Sequence, residues 1–304
     1  MTVIPTLPQT FDVAQAFQLD GLDVRGRLVR LGPTVNEILG AHDYPAPVAE
    51  LLAEALVLGA TLASTVKFEG QFTLQIQSDG PISLLLADLT SAGELRGYAR
   101  FDADRVVAAA KSDGAKVPRL LGRGTLAFTV DQGQDMDRYQ GVVALEGATL
   151  AACAQSYFRI SEQLETVIFL GTQCSDTTHT AGAVLIQRMP QDKSKDVDEA
   201  EEEWRRVVVL LSSLKLDELL DPALDPDDIL YRLYHDDGVR AYAPKKLVYK
   251  CRCSRKKVIT TLQSLPRHEI IGDDGSAHVN CEFCTIDYDF TATDLDQIYG
   301  ESND

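Results

Sequence analysis

GQFTLQIQSDG, residues 70–80, alternates apolar and polar side chains, so that Phe72, Leu74 and Ile76 share one side, and it ends on a Ser-Asp-Gly turn signal. A period of two marks a β-strand with one face on a core and the other on water. The same alternation returns in GTLAFTVD (124–131), through Leu126, Phe128 and Val130, and in GVVALEG (141–147). These segments read as strands of a sheet covered on one side. Two apolar segments are the natural cover: PVAELLAEALVLGATLASTVK (47–67), with Pro47 in a helical first turn, and TLAACAQSYFRISEQL (149–164). Glu50 and Glu54 interrupt the first of them and would be costly at a bilayer centre, so it reads as a buried helix and no membrane is expected. Strand and helix do not alternate long enough to suggest a doubly wound sheet.

The expected fold class is α+β. A large N-terminal α/β sheet domain with covering helices takes residues 1–190, an acidic helical linker takes 191–244, and a small C-terminal zinc-binding domain takes 245–304. A chain of 304 residues with 45% hydrophobic side chains has enough apolar surface for a real core. Its formal charge of −17 argues against nucleic acid, whose binding is driven by clustered cations. The opening MTVIPTLPQTFD has neither a basic start nor an apolar run, so no secretory signal is read there and a cytoplasmic protein is expected.

The linker begins in QDKSKDVDEAEEE (191–203), where seven acids meet two lysines, a composition suited to a helix start. The sole tryptophan, Trp204, then opens an amphipathic stripe through Val208, Leu211 and Leu214, and ILYRLYH (229–235) forms a second short helical segment. Such a stripe is most simply the core face of a packed connector. The alternative is a conditionally stable segment whose apolar face can be uncovered.

Four of the six cysteines fall between Cys251 and Cys284. Cys251 and Cys253 form CxC, and after 27 residues Cys281 and Cys284 form CxxC. Six cysteines in this length are too few for a disulfide scaffold, and two close thiol pairs in a small module poor in hydrophobic residues are the pattern of a structural zinc site. In an extended LVYKCRC, Cys251 and Cys253 project to the same face, and a CxxC knuckle supplies the second pair. Lys245, Lys246, Lys250, Arg252, Arg255, Lys256 and Lys257, with no acid among residues 245–257, would offset the net −2 of a zinc tetrathiolate and lower thiol pKa values. A plain solvated charge patch explains the same residues. A module this small barely holds itself by burial, whereas structural zinc contributes on the order of 10–16 kcal/mol. Removing the metal, or oxidising the thiols that hold it, is expected to unfold the module.

The chain resembles the redox-regulated heat-shock holdases, the 33 kDa chaperonin family. The likeness runs through GLDVRGRLVRL (21–31), HDYP (42–45), VKFEG (66–70), QSDGP (77–81), RYQGVVALEGATLAAC (138–153), YFRISEQLET (157–166), DILYRLYHDD (228–237), KCRCSR (250–255) and CEFC (281–284). The resemblance implies a reduced, inactive form with one zinc ion on Cys251, Cys253, Cys281 and Cys284. It also implies that peroxide or hypochlorite with unfolding conditions forms the disulfides Cys251–Cys253 and Cys281–Cys284, expels zinc and unfolds module and linker. The exposed apolar surface would hold unfolding client proteins without ATP, and the active form would be a homodimer. The family usually has glycine directly after CxxC, where this chain has Thr285, a departure that bears on knuckle geometry and zinc affinity rather than on the ligands.

Other signals carry less. Gly122, Gly124 and Ala127 match GxGxxA, but the LAFTVD that follows alternates as a strand where a dinucleotide site needs a helix, so no nucleotide is expected. Cys174 with His179 could suggest a nucleophile and its base, yet no orienting partner is visible and an incidental thiol is the simpler reading. Cys153, in an apolar run, reads as a small buried hydrophobe, and His278 is a spare ligand beside four sufficient cysteines. The alternative function is a thiol–disulfide oxidoreductase using CEFC, which would need Cys281 at a helix N-terminus, whereas TIDYDF after it reads as a strand. No catalytic residue is assigned, and the protein is expected not to be an enzyme.

Overall fold

The computed structural model describes residues 10–132, 138–175, 178–190 and 196–300. Residues 1–9 of the opening segment and residues 191–195 of the acidic run lie outside the described residues. The chain divides into two units, Met1–Tyr249 and Lys250–Asp304.

The first unit starts with the hairpin β1 (Val13–Leu19) and β2 (Val24–Leu31), then helices α1 (Pro33–Leu39) and α2 (Ala46–Ala63). Three strands follow, β3 (Gln71–Ser78), β4 (Ile82–Thr90) and β5 (Glu94–Phe101), then α3 (Ala103–Ala110), β6 (Gly124–Asp131) and β7 (Tyr139–Ala144). Next come α4 (Leu150–Tyr157), β8 (Thr166–Cys174) and β9 (His179–Arg188), and the three helices α5 (Val197–Ser212), α6 (Leu216–Leu219) and α7 (Pro226–Tyr234). Short strands β10 (Val239–Ala241), β11 (Lys245–Lys246) and β12 (Val248–Tyr249) close the unit.

The strands make two sheets. One runs β10-β1-β2-β9-β8 with β11 also on β1, and the other runs β12-β5-β4-β3-β6-β7. The three alternating segments of the sequence, β3, β6 and β7, all lie in the second sheet, where Phe72, Leu74, Ile76, Leu126 and Phe128 face the core. Between the sheets lies α2, in contact with β4 and β5 of one and with β8 and β9 of the other. It is the one helix among the described residues long and apolar enough to cross a membrane, and 83% of that window is buried inside the fold. A helix apolar around its whole circumference needs cover on every side, and a second sheet provides what a single sheet could not. Glu54 in α2 is buried and meets Lys116 Nζ at 2.7 Å; burial pushes its carboxyl above the usual range, and the lysine opposes that rise.

The first sheet is covered on both faces. Along β9, Ala183 and Leu185 pack toward α2, while Val184 and Ile186 turn to a second core made with Trp204, Val207, Leu211, Leu219, Ile229, Leu230 and Tyr234 of α5–α7. Residues 196–249 therefore pack within the first unit, with β10 and β11 paired to β1 and β12 to β5. The stripe expected through Trp204, Val208 and Leu211 faces inward, with one correction: Val207 is fully buried, and Val208 only flanks the core. Two glycines paired across the sheet, Gly171 and Gly182, leave a hollow for α6. A Cβ on Gly171 would stand 2.7 Å from Leu216, and one on Gly182 2.8 Å from Leu219. Beside this contact Arg30, fully buried on β2, donates from Nη1 to Leu224 O and from Nη2 to Asp221 O, both at 2.6 Å, with its guanidinium over the Phe11 ring. Burial lowers its pKa to about 10.

The second unit holds α8 (Arg255–Leu262), the hairpin β13 (Ala277–Asn280) and β14 (Asp287–Phe290), and α9 (Ala292–Tyr299). Ser254 caps α8 by accepting from the Lys257 N–H, and Thr291 with Asp294 forms a capping box on α9. Its core consists of Leu262, Ala277, Phe290 and Leu295.

Candidate metal centre

The β13–β14 hairpin carries CEFC as its turn. Cys281 N–H donates to Ile286 O at 3.0 Å, and the N–H groups of Cys284 and Thr285 both reach back to Cys281 O, at 3.3 and 2.8 Å, so that the loop curls around its own sulfurs. Cys251 and Cys253 lie in irregular chain just before α8, and Cys253 directly precedes the helix cap. The positive end of a helix favours a thiolate there. All six cysteines are free, and those of this group are half-buried.

The sulfurs of Cys251, Cys253, Cys281 and Cys284 lie within 4.8 Å of one another. Cys251 Sγ is 3.7 Å from Cys281 Sγ, and Cys253 Sγ is 3.4 Å from Cys284 Sγ. Four sulfurs each about 2.3 Å from a central ion form a tetrahedron with edges of about 3.8 Å, so this donor set fits a metal ion with little adjustment. The hydroxyl of Tyr288 donates to Cys253 Sγ at 3.1 Å. Four thiols this close cannot all ionise at once in the absence of a cation, and their titration is uneven. At Cys251, burial raises the pKa, but hydrogen bonds from the Cys253 backbone and the neighbouring sulfurs outweigh it and bring it down to about 7. Burial and the neighbouring sulfurs push Cys284 up, and burial raises Cys253 as well. A divalent cation removes that repulsion and favours the thiolate at every position.

Thr285 adopts φ 57°, the left-handed region that a β-branched residue rarely enters. It is held by Asn280 Nδ2 donating to its carbonyl at 3.0 Å and by its own Oγ1 donating to Cys284 O at 2.7 Å. The left-handed geometry costs an L-residue about 1–2 kcal/mol, of which the greater backbone freedom of glycine in the unfolded chain takes back about 0.5–1 kcal/mol. Thr285→Gly is therefore expected to stabilise the metal-loaded second unit by about 0.5–1 kcal/mol. Thermal unfolding of the two zinc-loaded proteins checks this, and a lower midpoint for the glycine variant would refute it.

The other sequence candidates are not among the four sulfurs of the cluster. The ring of His278 is engaged by Asp289, at 2.6 Å from Nδ1, and by Asp287, at 3.3 Å from Nε2. Arg255 stacks on Phe290 and binds Asp289 O, so it serves packing as well as charge, and Lys245 and Lys246 belong to β11 of the first unit. Cys153 is fully buried on α4. Cys174 stands opposite His179 across the β8–β9 hairpin, yet desolvation raises its thiol pKa, the reverse of an activated nucleophile. Gly124 opens the strand β6, where a dinucleotide site would need a helix, and Cys281 opens a turn leading into β14, where an oxidoreductase would need one. Tyr288 was missed by sequence reasoning. Its signal was available, since the period of two in TIDYDF puts it on the same side as Phe290.

The family model described as Hsp33 protein matches residues 12–291, which include all four cysteines of the cluster. The chain belongs to the Hsp33 family. A 33 kDa chaperonin of Caulobacter vibrioides is 43% identical over 287 residues, covering 91% of this chain and 94% of that protein. Another from Pseudomonas paraeruginosa is 38% identical over 294 residues, covering 95% and 94%. The crystal structure of the 33 kDa chaperonin (heat shock protein 33 homolog) of Thermotoga maritima superposes with a TM-score of 0.77 at 23% identity, covering 95% of this chain and 98% of that one, a likeness of Hsp33 fold.

Proposed function

We propose that this Hsp33 family member is a chaperone of the holdase type, inactive while reduced and zinc-bound and switched on by oxidation. The observation that carries the reading is the convergence of the sulfurs of Cys251, Cys253, Cys281 and Cys284, within 4.8 Å of one another, in a unit with four fully buried hydrophobic side chains among its described residues. Zinc, when bound, supplies a cross-link between the two cysteine pairs and keeps their sulfurs deprotonated.

The rest is the work of the chain. Each pair of sulfurs gives up two electrons to one peroxide, which takes two protons and leaves as two waters, and one disulfide forms. The pairs are Cys251 with Cys253 and Cys281 with Cys284, as in the family. A disulfide sulfur is no longer a thiolate donor, so the second unit loses the cross-link that its small core cannot replace. The segment from about 191 to 240 acts as the relay. Its helices α5–α7 shelter Phe17, Leu19, Leu28, Val184 and Ile186 on the first sheet, and their release turns a buried apolar face into a surface for unfolding client proteins.

The test measures zinc release and suppression of client aggregation together, before and after peroxide with mild heat. Both are expected to rise in parallel. Full suppression with zinc retained would overturn the switch. Trp204, the sole tryptophan, is buried in α5 and reports on the relay directly, since its emission should move to the red as activity appears.

A further inference from the structure

The face of β2 that meets α2 reads Arg25, Arg27, Val29 and Leu31, so its apolar half packs in the core while its two arginines, both half-buried, lie by the C-terminal end of the helix. A cavity of about 420 Å³ opens there, walled by Ala14 and Ala16 of β1, Arg27, Lys67, Phe68 and Lys245 of β11. Arg25 lines the adjoining cavity, which shares Thr65, Val66 and Lys67 with this one. In a chain with 46 acids and 29 bases a carboxylate partner is easily supplied. Half-buried Arg96 meets Asp88 at 2.8 Å, and half-buried Arg188 meets Glu165 at 2.7 Å and Glu201 at 2.8 Å. Among the described residues, no carboxylate forms an ion pair with Arg25, Arg27, Lys67 or Lys245. Their hydrogen bonds go to neutral oxygens: Arg27 Nε donates to Ser64 O at 2.6 Å, Arg25 Nε to Gln187 Oε1 at 3.1 Å and Lys245 Nζ to Ser91 O. The end of α2 at Ser64 offsets about half a charge. Glu162, in the wall of the adjoining cavity, is held by the hydroxyls of Tyr139 and Tyr157. Burial and the charge of Arg25 both lower the Arg27 pKa, a repulsion that a bound anion would relieve.

We propose that Arg27, Lys67 and Lys245 form a binding site for a small molecule that carries a phosphate group on an apolar body. The Arg27 guanidinium donates to Ser64 O and Gly26 O and keeps further N–H groups to offer, and two ammonium groups beside it complete a set of donors suited to a compact dianion. The acidic remainder of the molecule repels extended polyanions at long range, which favours a small ligand over a nucleic acid. Ala14 and Ala16 leave the cavity larger than a phosphate group needs, and with Phe68 they give it an apolar wall. The site lies wholly within the first unit, so it stands or falls apart from the cysteine switch.

The experiment titrates the reduced, zinc-loaded full chain with phenyl phosphate and with inorganic phosphate, at constant ionic strength and about pH 8, where a phosphate monoester is a dianion, and reads the heat of binding. Phenyl phosphate should bind, and inorganic phosphate should bind more weakly because it leaves the apolar wall unused. Lys67→Gln and Lys245→Gln, at two exposed positions, should each weaken phenyl phosphate about three- to tenfold. Lys111→Gln, which removes the same charge from the end of α3, should leave the affinity unchanged. Absence of binding by either probe in the unaltered protein overturns the inference however the variants fold. An equal loss in Lys111→Gln also overturns it, because the attraction is then a matter of overall charge. Equal affinity for the two probes overturns the apolar body and leaves free phosphate as the ligand.

Discussion

Chelating zinc from the reduced, zinc-loaded protein will unfold residues 250–300 and leave the two sheets of the first unit folded. Among its described residues the second unit fully buries Leu262, Ala277, Phe290 and Leu295, with a rim of half-buried side chains around them, a small core to set against the ordering of its backbone. Structural zinc on four thiolates contributes on the order of 10–16 kcal/mol, comparable with the whole stability of a domain, so its loss outweighs what the small core between α8 and the β13–β14 hairpin supplies. Amide hydrogen exchange read by mass spectrometry checks this. Protection should vanish over α8, β13, β14 and α9 on chelation and return when zinc is restored, while α2 and β9 stay protected. Cys251→Ser should act in the same direction and lose protection at a lower chelator concentration, because one sulfur of four is gone. Protection that survives chelation across residues 250–300 would remove the basis for a metal-held switch.

Leu219→Asp will uncover the first sheet without any oxidation. Leu219 is fully buried on α6 and sits over Gly182, so a carboxylate there would be driven into an apolar contact. An unpaired charge driven into such a contact is destabilising by several kcal/mol, and undocking the helix returns it to water. What it leaves behind is the apolar face of β1, β2 and β9, with Phe17, Leu28, Val184 and Ile186 exposed. The reduced, zinc-loaded variant should bind a hydrophobic dye, shift Trp204 emission to the red and suppress client aggregation at a level that the parent reaches only after peroxide. Gly182→Val attacks the same contact from the sheet side by filling the hollow, with an expected cost of about 1–3 kcal/mol and a correspondingly smaller effect. A Leu219→Asp protein that exposes this face, as the dye and Trp204 report, and yet holds no clients would place client binding elsewhere on the molecule.

Much of this molecule was readable one segment at a time. The alternation of GQFTLQIQSDG became β3, with Phe72, Leu74 and Ile76 buried as their period requires, and the apolar run from Pro47 became the buried helix α2. The first sheet escaped notice because β9 is buried on both faces and so reads AVLI, without the alternation that marks a half-buried strand. Val207 was passed over for Val208 because helical spacing allows either three or four residues between contacts, and only the facing surface chooses. Thr285 stood out in the sequence, but its left-handed backbone followed from the way the knuckle closes on Cys281 O.

By itself the sequence determined which chemistry is present: four thiols in two close pairs, one amphipathic stripe, strands with a wet and a dry side. Each of these depends on residue type and spacing along a few turns of chain, where geometry is nearly fixed by the backbone. Tertiary structure alone decided which far-apart pieces meet. It set the sulfurs of Cys251 and Cys281 3.7 Å apart, held the loop after α6 by Arg30 from β2, aimed the Tyr288 hydroxyl at Cys253, and laid α6 into the hollow of Gly171 and Gly182. Those contacts join residues from about 30 to nearly 200 positions apart, and no local preference encodes them; they arise because burying all the apolar faces together leaves few arrangements open.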